Sequence, residues 1–257
     1  MGSTMQDYYQ LIVNNKSFLP LLETLFLALI FLVIVFQVAW FASLPVFHLQ
    51  SLASVDFVDW SNYGQFAISF LCTAIAFFLY AAPSRRSFFL LAGFSSGLWF
   101  LSNSFWFLYV KIVGRNLLYP GMADIGFLGV FLLLATAISL TFDEKKLPGP
   151  VTVAIYGVPL VVSMIAAITN VTGQTLTNIV YCLFSSILLL AVIRHNPNNN
   201  RLFFGGVLCY IATMLAYALR ETYFPGASLL TIVGQLAMVS FCLIPLGLLR
   251  LDQGVSA

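Results

Sequence analysis

Residues 87–110 read SFFLLAGFSSGLWFLSNSFWFLYV, an uncharged run closed by Arg85 and Arg86 on one side and Lys111 on the other. About 20 apolar residues wound as a helix cross the hydrocarbon core of a bilayer, and a soluble chain has little use for such a run. Working outward, the pattern recurs at 20–43, 62–82, 122–142, 150–169, 173–195, 201–223 and 227–249, with nearly all Lys and Arg kept to the gaps. Composition agrees: 61% of residues are hydrophobic and 8% charged, where a soluble domain carries charge on about a quarter. The expected fold class is an all-α integral membrane protein, a bundle of eight transmembrane helices forming one domain over 1–257. Residues 1–17 are then an N-terminal segment and 251–257 a tail. A cleavable signal peptide at the first run is disfavoured, because a mostly uncharged stretch precedes it and no basic region leads it.

Basic residues set the orientation, since Lys and Arg resist translocation. Placing the N-terminus inside puts Lys16, Arg85, Arg86, Lys145, Lys146, Arg194, Arg201 and Arg250 in the cytoplasm and only Lys111, Arg115 and Arg220 outside, eight against three. Both termini are then cytoplasmic, as expected for a prokaryotic inner-membrane protein. The net charge of +2 follows from this topology and from anionic lipid, so the expected partner is the bilayer and not nucleic acid.

Cys72, Cys182, Cys209 and Cys242 all fall inside runs, where a thiol serves as a small apolar filler, and no disulfide framework is expected. Asn170-Val171-Thr172 is a glycosylation acceptor triplet on the outer side, a pattern that chance also supplies. None of the four lysines lies in the middle of a run, so a buried retinal Schiff base has no amine. His48 and His195 stand at opposite faces, too far apart to share a haem or a metal, and read as interfacial residues. No phosphate loop, zinc helix or nucleophile elbow is present. No cofactor and no metal are expected, and nothing announces an enzyme.

Tyr119-Pro120-Gly121 with Gly129 is echoed by Phe224-Pro225-Gly226 with Gly234, at the same spacing and each ahead of an even-numbered run. This suggests two parallel four-helix repeats, 18–142 and 150–250, related by an axis along the membrane normal. Turns containing Pro and Gly also arise anywhere.

Polarity inside the runs is patterned. Trp99, Asn103 and Trp106 recur at i, i+4 and i+7, placing them on one helix face. Tyr210, Thr213, Tyr217 and Arg220 do the same in the seventh run, with Glu221 beside Arg220. Asn178, Tyr181 and Ser185, and Gln65, Ser69 and Thr73, share helical spacing and read as interhelical hydrogen-bonding groups. Asp124 opens the fourth run. It either satisfies free N–H groups in the first helical turn or joins Arg220 in a ligand site.

Trp99 and Trp106, a short outer loop, and then Tyr119-Pro120-Gly121-Met122-Ala123-Asp124 resemble the aromatic-Pro-Ser-x-Ala-Asp segment of multi-span sensor regions. Those regions precede GGDEF-type diguanylate cyclase or histidine kinase domains. Gly121 stands where that pattern has Ser, and no output domain follows in this chain. The resemblance implies a sensory module with a cytoplasmic C-terminus that signals through a separate partner.

The expected function is a receptor-like module that binds a small amphipathic or lipid-derived ligand in the outer half of the bundle. Trp99, Trp106, Tyr119 and Tyr217 would supply flat walls, Asn103 a hydrogen bond, and Asp124, Arg220 and Glu221 the polar anchors. A small transporter built from two pseudo-symmetric halves and a lipid-modifying enzyme are the alternatives.

Overall fold

The computed structural model describes residues 57–80, 86–113, 121–144, 146–157, 161, 173–195, 201–223 and 227–255, with scattered positions between 20 and 35. Six helices are described end to end: α1 (Phe57–Leu79), α2 (Arg86–Val113), α3 (Met122–Thr141), α4 (Gly173–Arg194), α5 (Arg201–Tyr223) and α6 (Ala227–Val255). The described positions between 20 and 35, and residues 149–157, are also helical, and no strand occurs among the described residues.

Ser87–Tyr109, Met122–Thr141 and Leu176–Arg194 are long and apolar enough to cross a membrane. Two helices overrun their expected limits by more than a turn, and α2 runs past Lys111 to Val113. α1 begins at Phe57 and not at 62, because Asp59 and Asn62 sit on a helix whose apolar run starts a turn later; α6 continues past 249 through Arg250 and Asp252 into the expected tail. The polar residues end the apolar stretch without ending the backbone hydrogen bonding.

The helices pack in a ring. Each touches its neighbour in sequence, and α1 closes on α6. Ring contacts fix the directions: Tyr63 meets Phe107 and Phe77 meets Phe94, so α1 and α2 are antiparallel. Phe88 meets Phe142 and Trp99 meets Phe127, so α2 and α3 are too. The seam between α3 and α4 differs. Tyr181 near the start of α4 bonds Asp124 at the start of α3, and His195 just past the end of α4 bonds Phe142 just past the end of α3. These two helices are therefore parallel, and between 143 and 172 the chain must travel back the length of α3, about 30 Å for its 20 residues.

Close approach at two seams depends on glycine. A Cβ on Gly126 would fall on Ser102, and one on Gly129 would press on Leu98, so α2 and α3 touch nearly backbone to backbone. On α6 a Cβ on Gly247 would overlap the backbone of Phe203, while Ser240 Oγ donates to Gly206 C=O at 2.9 Å across the same α5–α6 contact. Small residues at helix contacts are the means by which apolar helices gain dispersion contact without a hydrophobic driving force.

Outward faces are apolar. Phe66, Phe70 and Phe77 on α1, Phe94, Leu101, Phe105 and Ile112 on α2, and Ile125, Leu132 and Leu140 on α3 are all exposed. A surface of this kind suits hydrocarbon and not water.

Pro245 lies inside α6 and has no N–H to donate to the carbonyl of Phe241, four residues back. That carbonyl accepts instead from the Cys72 thiol of α1, at 2.7 Å. Cys72 is thus a donor and more than an apolar filler: it satisfies a backbone acceptor that the proline frees, at the point where α1 closes the ring. Cys72→Val should cost roughly 1–3 kcal/mol by leaving a buried acceptor unmet, and Cys72→Ser should cost less. Adding Pro245→Ala, which restores the N–H, should recover part of the Cys72→Val loss in thermal unfolding in detergent; strictly additive effects would refute the pairing.

Candidate functional site

On α2, Ser95, Trp99 and Ser102 are buried at i, i+4 and i+7 and define the face that looks into the ring. Since Gly126 and Gly129 bring α3 close, the Trp99 indole reaches across the interior. Its ring lies 4.6 Å from Phe127 of α3, 5.3 Å from Tyr210 of α5 and 4.6 Å from Phe241 of α6. Tyr210 and Phe131 continue the stack at 5.1 Å, and Tyr181 and Tyr217 pair at 6.1 Å. Each such contact adds about 0.5–1.5 kcal/mol beyond burial of area.

Asp124 is the third residue of α3 and is 5% exposed. Gly121, extended at φ −131°, precedes the helix; its N–H donates to Asp124 Oδ2 at 2.7 Å and its C=O accepts from the Asp124 N–H at 3.1 Å. The carboxylate thereby satisfies a terminal donor and sits at the positive end of the helix dipole. Its other oxygen, Oδ1, accepts from the Tyr181 hydroxyl at 2.6 Å. Tyr181 is fully buried, and its Asn178–Tyr181–Ser185 spacing is the sequence signal for this interhelical bond. Tyr210 likewise donates to Phe127 C=O at 3.2 Å.

Of the residues expected to line a site, Trp99, Asn103, Trp106, Asp124 and Tyr217 are described. Trp99 and Asp124 are buried, and the other three are half-buried, with Trp106 and Tyr217 packed against the core. Tyr119 and Arg115 lie outside the described residues, as do the side chains of Lys111, Arg220 and Glu221. The expected Asp124–Arg220 pairing therefore rests on a side chain outside the description. Asn170 and His48 lie outside it too.

Four buried side-chain atoms have no hydrogen-bond partner among the described residues: Trp99 Nε1, Asn103 Nδ2, Ser185 Oγ and Arg194 Nε. An unmet buried donor costs about 1–3 kcal/mol, so a molecule meeting one contributes that much. Trp99 and Asn103 are one turn apart on α2.

At the opposite end of the ring Phe88, Phe89, Phe203 and Phe204 are buried, with Phe88–Phe203 at 5.3 Å, Phe88–Phe142 at 5.9 Å and Phe142–Phe204 at 5.4 Å. Outside this plug His195 Nδ1–H donates to Phe142 C=O at 2.5 Å, and Arg194 pairs with Glu144 at 3.2 Å. His195 is buried, and so is a structural tie between α3 and α4 and not merely an interfacial residue. Among the described residues no three His, Cys, Asp or Glu side chains gather as metal ligands do.

No protein-family model matches the chain, and no curated protein and no solved structure is significantly similar to it.

Tyr181→Phe should lower stability by roughly 1.5–3 kcal/mol, the range of a hydrogen bond to a charged group. Asp124→Leu removes the same bond, so the double variant should be more stable than the sum of the single effects predicts, read as melting temperature in detergent. Additive losses would mean the two groups do not act together.

Proposed function

We propose that this chain is a receptor-like membrane module of eight transmembrane helices. It binds a small amphipathic or lipid-derived ligand at the Asp124 end of the ring and signals through a separate partner. The observation that carries it is the uneven polarity of the interior: a plug of phenylalanines fills one end, while Asp124, Tyr181, Asn103, Trp106 and Tyr217 lie toward the other. A site open only at the Asp124 end would suit detection better than passage.

The eight-span topology is supported by the parallel α3–α4 seam, since a return crossing is needed between 143 and 172. The charge bias then makes the plugged end cytoplasmic. In a variant lacking the native cysteines, single cysteines at Ser84, Asp143 and Asn198 should label from the cytoplasmic side and one at Thr172 from the other. Labelling of Asp143 and Thr172 from the same side would remove the fifth span.

A second reading, a small transporter, is favoured by the internal repetition. The connections 80–85 and 195–200 are equally long, and Arg86-Ser87-Phe88-Phe89 is matched by Arg201-Leu202-Phe203-Phe204 at the start of α2 and α5. The order of directions α1–α2–α3 also recurs in α4–α5–α6, as two parallel copies require. Labelling of a cysteine at Ser95 in turn from each side of the membrane would favour transport.

Binding is tested by thermal unfolding in lipid nanodiscs with a panel of amphipathic and lipid-derived compounds. A ligand at a hundredfold excess over its dissociation constant should stabilise the unmutated protein by roughly 2.7 kcal/mol. Trp106→Phe and Tyr217→Phe should lose that shift selectively. If no compound shifts the unmutated protein, the receptor role fails and the aromatic row is core.

A further inference from the structure

Resting on the binding role just proposed, we infer that the site takes a ligand whose polar head offers hydrogen-bond acceptors and no donor, a carbonyl or ester oxygen on an apolar body, held by the indole N–H of Trp99 and the amide of Asn103. The indole decides the sign, because it can donate and cannot accept. Trp99 is 3% exposed, its Nε1 has no partner among the described residues, and Phe127, Tyr210 and Phe241 hold its ring on several sides. The ring cannot turn to find an acceptor without breaking those contacts.

Several acceptors on the neighbouring helices each already hold a donor. Asp124 uses one oxygen on the Tyr181 hydroxyl and the other on the Gly121 N–H, the Phe127 carbonyl accepts from Tyr210, and the Phe241 carbonyl accepts from Cys72. Of the four unmet buried side-chain atoms among the described residues, Trp99 Nε1, Asn103 Nδ2 and Arg194 Nε can only donate, and Ser185 Oγ can donate or accept. The interior therefore has donors to spare. A ligand bringing another donor would add an unmet group, whereas an acceptor removes one, and a site of unmatched polar groups discriminates strongly on this basis.

The probes are four compounds of equal carbon count: dodecan-2-one, methyl undecanoate, dodecan-1-ol and dodecylamine. Each is titrated against the full chain in nanodiscs, with melting temperature and Trp fluorescence as readouts. The ketone and ester should bind, and the amine should bind at least about tenfold more weakly, the factor set by one buried hydrogen bond. Trp99→Phe and Asn103→Leu should each erase the preference for the ketone over the amine. Trp99→Phe also loses part of the packing against Phe127, Tyr210 and Phe241, so each variant's ligand-free melting temperature serves as its own baseline. An amine that binds as well as the ketone, or a preference that survives both substitutions, overturns the inference and leaves the binding role standing. If none of the four binds while other amphipathic compounds do, the inference falls alone; if nothing binds, the binding role falls and takes it too.

Discussion

The Trp99 indole lies within stacking distance of rings from three other helices, and the arrangement of the ring depends on that reach. An indole can bridge α2 to α3, α5 and α6 only if α2 and α3 approach to within what Gly126 and Gly129 permit. Filling that gap with a methyl group would push α2 outward and pull the indole from its partners. The same contacts fix the orientation of an N–H that nothing among the described residues accepts. Packing and an unmet donor thus come from one side chain: the forces that hold the ring stop it from satisfying its own N–H.

Where water is scarce, each backbone group displaced from its helical partner needs another. Two devices meet this need at the seams. Pro245 frees the Phe241 carbonyl and Cys72 bonds it, which ties α1 to α6. Asp124 satisfies the Gly121 N–H and recruits Tyr181, which ties α3 to α4. The α3–α4 seam is also tied at its far end, by His195 on the Phe142 carbonyl and by Arg194 on Glu144. The Asp124, His195 and Arg194 contacts lie toward the helix ends, as expected where polarity is costly at depth, while the Cys72–Phe241 bond lies at the level of the aromatic stack, where it meets the carbonyl that Pro245 leaves free.

The helices were legible because uncharged runs of this length have few other uses, and six of the expected runs coincide with helices apart from frayed limits. The face bearing Trp99, Asn103 and Trp106 was legible from spacing alone. What spacing does not reveal is which face meets which neighbour. Asp124 gave no sign that Tyr181 was its partner, because the two are 57 positions apart and the pairing depends on α3 and α4 running parallel. Cys72 read as filler because the proline that creates its acceptor lies at the other end of the chain. The Arg-x-Phe-Phe pairs at 86–89 and 201–204 were in view throughout, but in a chain with 25 phenylalanines they stand out only once Phe88 and Phe203 are seen in contact.

The two-copy reading makes the differences between copies informative. Aligned on those phenylalanine pairs, the buried positions Phe88, Phe89, Ala92, Ser95 and Trp99 of α2 match Phe203, Phe204, Val207, Tyr210 and Met214 of α5. At the plug the copies agree, with phenylalanine against phenylalanine. Two to three turns deeper they diverge, with Ser95 opposite Tyr210 and Trp99 opposite Met214. Methionine is a flexible apolar filler and leaves no donor unmet, so the position that carries the spare N–H in one copy carries none in the other. A scaffold needs only that its halves fit, and identical halves do that well. Buried phenylalanines kept alike at the plug, with Trp99 replaced by Met214 deeper in, are what the one-sided site proposed above would require of a duplicated frame.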